Sequence, residues 1–454
     1  RGERMIPADA APAEVIAYFG EALPRTGKGA LALAEALAAS GQEGAAAAML
    51  RRAWPSLLLG RTEQAALISR YGDLLARHHV ARLDNLLWEE RLTEASAMLP
   101  HVDAGWQALA RARIGLRRDA GDVDRLIAEV PAVLARDPGL AYERYQWRLR
   151  KGRWEEAEDW LLRHSRSAAA LGRPELWMAR RAWLARLALG RGEVERAYRL
   201  VAENFGSEGG DLAEAEWYAG YVALTRMNEP DRAIRHFERF ERVVSTPISL
   251  GRAGFWLGRA HEAAGRPEEA AMAYARAAAH QTSFYGQLAA EQAGIEPDAA
   301  LAANDVSDWR RSGVVRRPVG AAGYLLHLAG EEGWAVQFFR HAAESLPPAE
   351  RAALAQMAID LDRPHVGLRL AKDAATAGVV LPGQYYPMHA IAEESWAVPT
   401  EFALAIARQE SEFDPGAQSP AGARGLMQLM PGTAEGMSRV AGVYYDPGRL
   451  TRDP

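Results

Sequence analysis

Four stretches of the sequence repeat one short pattern, in which a Gly or Pro turn precedes acidic residues and an alanine. They are RKGRWEEAEDW (150–160), ALGRGEVERAY (188–198), RMNEPDRAIRHF (226–237) and AAGRPEEAAMAY (263–274). Their shared alanines are spaced 40, 36 and 37 residues apart, at Ala157, Ala197, Ala233 and Ala270. A period in the thirties with a helix–turn–helix unit predicts an α-solenoid, because each unit buries its apolar face only against its neighbours.

The residues of these turns suit the ends of helices. Gly192 and Gly265 fit the left-handed position that follows a helix, and Pro230 and Pro267 fit the first turn of the next one. An alanine at the shared position lets two helices approach closely. The pattern resembles tetratricopeptide-type repeats, but its spacing varies. We therefore predict an irregular all-α superhelix.

Composition limits the function of this helical chain. At 49% apolar and 25% charged residues it is globular, which excludes a disordered or fibrous protein. A net charge of −5 argues against a nucleic-acid partner, which requires a concentrated basic surface. The absence of cysteine excludes disulfides and thiol catalysis. No apolar stretch reaches the roughly 18 residues of a membrane span. The histidines lack metal-ligand spacing, so we predict neither a metal nor a cofactor.

Breaks in the helical pattern divide the chain into three predicted parts. Residues 1–295 form an α-superhelical scaffold, 296–385 a helical linker domain, and 386–454 the beginning of a second, mainly α-helical lobe; the last boundary lies in GVVLPGQYYP (378–387). Most of the 13 tryptophans lie in predicted helices. This favours packing between helices, although a few rings facing a cavity and stacking on sugars remain an alternative.

The candidate catalytic residues lie in one stretch, PTEFALAIARQESEFDPGAQSPAGARGLMQLMPGTAEG (399–436). At 100° per residue, Glu410 lies in the same apolar sector as Phe402, Ile406 and Phe413, so we expect it to be buried. Burial raises the pKa of a carboxyl group, and a protonated carboxyl can donate to the leaving oxygen of a glycosidic bond. The alternative is a buried structural glutamate with backbone or Arg partners. Glu412 and Arg408 are expected to point away from this sector.

Small residues fill the second half of the stretch. Gly422 and Gly425 suit sharp turns or a close backbone approach, and the amide of Gln428 can bind a sugar hydroxyl or acetamido group. A structural loop whose Leu and Met side chains fill the core is equally compatible with these residues.

Taken together, AIARQESEFDP, SPAGARGLMQ and MPGTA resemble the catalytic region of the soluble lytic murein transglycosylases. These bacterial enzymes carry a goose-lysozyme-like catalytic domain on an α-superhelical scaffold with a ring or U shape. The resemblance implies a lyase that cleaves the MurNAc-β-1,4-GlcNAc bond of peptidoglycan and forms 1,6-anhydro-MurNAc, with Glu410 as the single acid/base. It also implies substrate contacts from Ser411, Ser419, Gln428 and Met430, with the orientation of Glu410 or capping of the local backbone as the alternative role of Ser411. Glu412 and Asp414 are expected to be solvated or structural.

The family resemblance sets further expectations for the whole chain. The substrate is peptidoglycan glycan strands, other cell-wall enzymes are possible partners, and the location is periplasmic with a signal peptide already removed. The family's downstream tyrosine and its Ala-Tyr-Asn-Ala-Gly segment do not follow the motif, so we expect the lobe to be incomplete in this chain. Two alternatives stay open: a muramidase-type hydrolase using the same acid, and a non-catalytic scaffold that binds peptidoglycan or proteins.

Overall fold

A computed structural model of the chain describes residues 6–7, 10–302, 308–395 and 397–452. All regular secondary structure in these ranges is helical, and only isolated β-bridges occur besides it. The predicted all-α class is confirmed. The described residues fall into two compact units, 1–227 and 228–454.

The first unit contains fourteen α-helices among the residues described. They are α1 (Pro12–Phe19), α2 (Gly27–Ala39), α3 (Glu43–Ala53), α4 (Arg61–Leu75), α5 (His79–Trp88), α6 (Leu92–Met98), α7 (Ala104–Arg117), α8 (Val123–Ala128), α9 (Pro138–Arg150), α10 (Trp154–His164), α11 (Ala168–Leu171), α12 (Arg181–Gly190), α13 (Val194–Ala202) and α14 (Gly210–Thr225).

The second unit continues with eleven α-helices in its described part. They are α15 (Pro230–Val243), α16 (Pro247–Ala263), α17 (Pro267–Ala278), α18 (Phe284–Ala293), α19 (Pro318–Leu328), α20 (Glu332–Glu344), α21 (Pro348–Asp360), α22 (Pro364–Thr376), α23 (Pro382–Tyr385), α24 (Thr400–Glu410) and α25 (Pro431–Ala441).

One local geometry recurs before many of these helices. The fourth residue of the helix is small, and the residue five positions earlier has a positive φ. The small residues are Ala46, Ala95, Ala157, Ala197, Ala233, Ala270, Ala335 and Gly367. The residues with positive φ are Gly41, Glu90, Gly152, Gly192, Asn228, Gly265, Gly330 and Asp362. A left-handed residue of this kind ends a helix and redirects the chain into the next one.

Hydrogen bonds and burial explain why this geometry is stable. After Gly192, for example, the Glu193 N–H donates to the Ala188 carbonyl at 3.0 Å, the bond that closes a Schellman turn. Ala157, Ala197 and Ala233 are fully buried. At Gly367 a Cβ atom would lie 2.7 Å from the Ala355 carbonyl oxygen. The small residue is therefore required by the close approach of two helices.

The specific predictions for these turns are confirmed. Gly192 and Gly265 have φ values of +81° and +69°, and Pro230 and Pro267 are the first residues of α15 and α17. The domain boundaries at residues 295 and 385 stay a prediction. Part of the predicted joint near residue 300 (303–307) lies outside the described residues.

Several tryptophans are buried in the packing between helices, and others are exposed. Trp54 and Trp177 are fully buried, whereas Trp334 on α20 is 58% exposed.

Among the described helices, none is both long and apolar enough to cross a membrane.

The packing of α24 against the preceding helices places the candidate site. Leu368 of α22 and Ala407 of α24 belong to one buried apolar cluster. The other buried members of this cluster are Ile391, Phe413 and Leu426. Helix α22 and the chain that follows α24 are therefore held together by a small core of their own.

Candidate active site

Glu410 is the last residue of α24, and its side chain is exposed. The buried residues of this helix are Ala403 and Ala407. Phe402, which shares the predicted sector with Glu410, is 56% exposed. The predicted burial of Glu410 is therefore wrong.

The error arises because Phe413 is not part of the helix. Helix α24 ends at Glu410, and Phe413 follows in a left-handed conformation with φ of +65°. The rule of 100° per residue no longer applies there, so Phe413 reaches the core although Phe402 remains outside. The side of α24 that packs against the core carries Leu404 and Ala407.

The two glutamates that flank Ser411 differ in their partners. Among the described residues, no hydrogen bond or ion pair engages the carboxyl of Glu410. The carboxylate of Glu412 accepts from Arg369 Nε at 2.7 Å and from Lys372 Nζ at 2.5 Å. Partial burial raises the pKa of Glu412, but the hydrogen bonds from Lys372 and Arg369 outweigh burial and hold this pKa below its ordinary value. Glu412 is thus engaged in structural ion pairs, while Glu410 is available to a ligand.

Ser411 is buried directly behind Glu410. Its Oγ lies 2.7 Å from the carbonyl oxygen of Leu426 and 3.0 Å from that of Ala407. The hydroxyl therefore connects the end of α24 to the loop at 411–430. This geometry gives Ser411 a positioning role through the backbone, and the predicted direct contact with substrate is not what its burial favours.

Ser419 begins a tight turn in the same loop. Its Oγ accepts from the Ala423 N–H at 3.0 Å, and its own N–H donates to the Ala423 carbonyl at 2.9 Å. Gly422, inside this turn, has a φ of +94°. The side chain of Ser419 remains partly exposed, so it can still meet a ligand at the surface of the loop.

Gln428 and Met430 lie at the end of the loop. Gln428 Nε2 donates to the carbonyls of Ala417 and Gly425, both at 3.0 Å. These bonds fix the orientation of the amide and use its donor side, which leaves Oε1 as the group able to accept from a ligand. Met430 is 45% exposed and directly precedes α25.

The loop has no room for a side chain at position 425. The φ of Gly425 is +75°, and a Cβ atom there would lie 1.7 Å from the carbonyl oxygen of Leu450. The close approach predicted for this glycine is therefore made by the chain's own backbone.

Arg408 faces the protein, because the sector that it was expected to point away from is the exposed side of α24. Its Nε donates to the carbonyl of Tyr385 at 3.0 Å, and its guanidinium lies 4.5 Å from the centre of the Tyr385 ring and 4.9 Å from that of Tyr386. Planar stacking on aromatic faces explains why an arginine can lie against the core.

Sequence reasoning missed Arg369 and Lys372, which α22 brings to Glu412 from about 40 residues away. Their spacing of three residues on one helix was the only available signal, and it does not reveal a partner. Among the described residues, no group of three or more His, Asp or Glu side chains could hold a metal ion.

The part of the chain that contains this site is similar in sequence to known proteins. The Transglycosylase SLT domain family matches residues 387–452. The soluble lytic murein transglycosylase of Escherichia coli (strain K12) is 49% identical over 55 residues, which cover 12% of this chain and 8% of that protein. The putative soluble lytic murein transglycosylase of Haemophilus influenzae is 51% identical over 55 residues, covering 12% and 9%. These matches span less than a tenth of either relative.

Solved structures extend the likeness of fold to more than nine tenths of the chain. An inactive mutant of the lytic transglycosylase Slt from Pseudomonas aeruginosa has a TM-score of 0.62 at 20% identity, covering 93% of this chain and 68% of that one. The 70 kDa soluble lytic transglycosylase from Escherichia coli has a TM-score of 0.54 at 20% identity, with coverages of 97% and 70%.

Fold and site together define an all-α protein that carries a transglycosylase SLT domain at residues 387–452. The match to this family covers residues 387–452, and the likeness of the remaining chain to lytic transglycosylases is one of fold.

Proposed function

We propose that this chain carries the acid/base of a peptidoglycan lytic transglycosylase, and that Glu410 is this group. One observation supports the proposal most directly: within the SLT domain, Glu410 presents an exposed carboxyl with no partner among the described residues. The neighbouring Glu412 is occupied by two cations and is a poorer candidate. The substrate is the MurNAc-β-1,4-GlcNAc bond of glycan strands, which implies a periplasmic site of action.

The reaction uses one carboxyl group twice. Glu410 first donates its proton to the glycosidic oxygen, and the bond from that oxygen to C1 of MurNAc breaks. The resulting carboxylate then takes the proton of the C6 hydroxyl of the same MurNAc, whose oxygen forms the new bond to C1. The product is 1,6-anhydro-MurNAc, and Glu410 recovers its proton. No water is consumed and no second carboxylate is required, in contrast to the usual pair in glycosidases.

The attacking hydroxyl belongs to the substrate, so orientation supplies part of the rate enhancement. We assign this orientation to the loop at 411–430. Ser419 and the Oε1 atom of Gln428 are the proposed hydrogen-bonding groups, and the exposed Met430 side chain the proposed apolar contact for a sugar face. Ser411 acts indirectly, by holding the end of α24 against Leu426.

A related protein supports a requirement for glutamate in such enzymes. The Pseudomonas aeruginosa lytic transglycosylase is inactive as a variant with Gln in place of a Glu. The same replacement at Glu410 is isosteric and removes only the ability to exchange a proton.

The test is digestion of purified murein, with the products separated and weighed by mass spectrometry. We expect anhydro ends from the parent protein and a loss of about 100-fold or more for Glu410→Gln. Glu401→Gln, at an exposed position of the same helix, is the matched control and should cleave within about twofold of the parent.

Each alternative gives a different result. Normal cleavage by Glu410→Gln would show that Glu410 is not the acid. Reducing ends without anhydro ends would identify a muramidase-type hydrolase. A parent protein that binds murein without cutting it would identify a non-catalytic scaffold.

A further inference from the structure

One face of α22 lies beside the chain that follows the Glu410–Ser411 pair. The face consists of His365, Leu368, Arg369 and Lys372, which lie at helical positions i, i+3, i+4 and i+7. Arg369 and Lys372 bind Glu412. Leu368 shares a buried cluster with Phe413, and His365 interacts electrostatically with Asp414.

The chain that this face holds has an uncommon backbone conformation. Glu412 and Phe413 are consecutive non-glycine residues in the left-handed region, with φ values of +56° and +65°. Such residues cost free energy and persist only where surrounding contacts impose them. The conformation ends α24 at Glu410 and turns the chain toward the loop at 411–430.

Side-chain contacts hold both Glu412 and Phe413 in this conformation. The two carboxylate oxygens of Glu412 are each bound by a different cation, with Arg369 Nε at 2.7 Å from one and Lys372 Nζ at 2.5 Å from the other. Phe413 is 2% exposed and stacks on His389, with ring centres 5.2 Å apart. The position of the turn relative to α22 is therefore fixed by charge and by packing.

We infer that Arg369 and Lys372, acting through Glu412, are positioning residues for Glu410. The three form a clamp on the chain two residues beyond the proposed acid, and the clamp determines where α24 ends and how the Glu410 carboxyl is presented. This inference rests on the proposed function. It assigns to α22 a part in catalysis, with no contact between its side chains and substrate.

A charge reversal with rescue separates positioning from simple stabilisation. Glu412→Arg places a third cation beside Arg369 and Lys372, so the clamp should open. We expect kcat on soluble glycan fragments to fall about tenfold or more, with KM within about twofold, because displacement of a catalytic group impairs the chemical step. The triple variant Glu412→Arg/Arg369→Glu/Lys372→Glu restores opposite charges and should recover at least about fivefold of the lost kcat.

The control is Glu401→Arg, the same change of charge in the first turn of α24 with no role in the clamp. It should leave kcat within about twofold of the parent. Circular dichroism and thermal unfolding of every variant report the folded fraction.

Glu410→Gln, assayed in parallel, distinguishes failure of this inference from failure of the proposed function. If Glu410→Gln is inactive and Glu412→Arg keeps the parental kcat, the clamp does not position the acid. The same conclusion follows if the lost kcat merely tracks the folded fraction, or if the reversed charges restore stability without restoring kcat. If Glu410→Gln cleaves at the parental rate, the proposed function and this inference both fail.

Discussion

The hydroxyl of Ser411 lies 2.7 Å from the carbonyl oxygen of Leu426, fifteen residues further along the chain. Ser411 is buried, and Leu426 belongs to the cluster that holds the end of α24. This single contact connects the residue after the proposed acid to the loop that carries Ser419 and Gln428. The relative position of acid and loop therefore depends on a buried polar contact as well as on apolar packing.

Replacing Ser411 with Ala should destabilise the protein by about 1–2 kcal/mol, because it removes a buried hydrogen bond and leaves a carbonyl without its partner. Ser438→Ala is the control, since the Ser438 hydroxyl binds the carbonyl of Glu435 only three residues earlier in the same helix. We expect a loss below about 0.5 kcal/mol there. Urea unfolding measures both values. Equal losses in the two variants would contradict a linking role for Ser411.

Two glycines of the loop allow a matched test of backbone approach. Gly425→Ala should cost about 3 kcal/mol or more, because its Cβ would lie 1.7 Å from the Leu450 carbonyl oxygen in addition to the strain of a positive φ. Gly422→Ala has the same kind of strain at φ +94° but nothing within 4 Å of the added carbon, so about 1–2 kcal/mol is expected. Thermal unfolding of the two variants gives the comparison. If Gly425→Ala cost no more than Gly422→Ala, the close approach to Leu450 would be unimportant.

The sequence predicted the repeating turns where glycine or proline carries the signal. Gly192 and Gly265 were found because few residues other than glycine adopt a left-handed conformation without strain. The equivalent turn at Glu90 went unnoticed, since this residue adopts the same φ only because the flanking helices impose it. Local chemistry was thus sufficient for part of the fold, and tertiary packing determined the rest.

In the candidate site, too, the sequence predicted some features correctly and others wrongly or not at all. Glu410 was assigned to a helix correctly, but its exposure was predicted wrongly because the projection extended the helix through Phe413. The contact of Glu412 with Arg369 depends on how α22 packs against the turn. Because the two residues are 43 positions apart, local sequence patterns do not reveal this contact. Helical periodicity predicts which side chains share a face; it does not predict where the helix ends or what covers it.

Acidification should weaken the Glu412 clamp. The folded-state pKa of Glu412 lies below its ordinary value of 4.5, so its stabilising contribution is present above that value and is lost as pH falls through the folded-state pKa. The difference in unfolding free energy between the parent and Glu412→Gln should therefore be constant from about pH 7 to about pH 5 and shrink at lower pH. In an Arg369→Gln/Lys372→Gln background this pH dependence should disappear. Its persistence there would assign it to other partners.

The repeated small residue gives a prediction for the scaffold. Ala270, the fourth residue of α17, is 2% exposed, whereas the adjacent Ala271 is exposed. Ala270→Leu should destabilise the protein by about 1–3 kcal/mol, because the added carbons must push apart the helices that the alanine lets approach. Ala271→Leu adds the same atoms in solvent and should change stability by less than about 0.5 kcal/mol, since leucine is also a good helix former. Urea unfolding of both variants tests the idea, which would be wrong if the two substitutions proved equally tolerated.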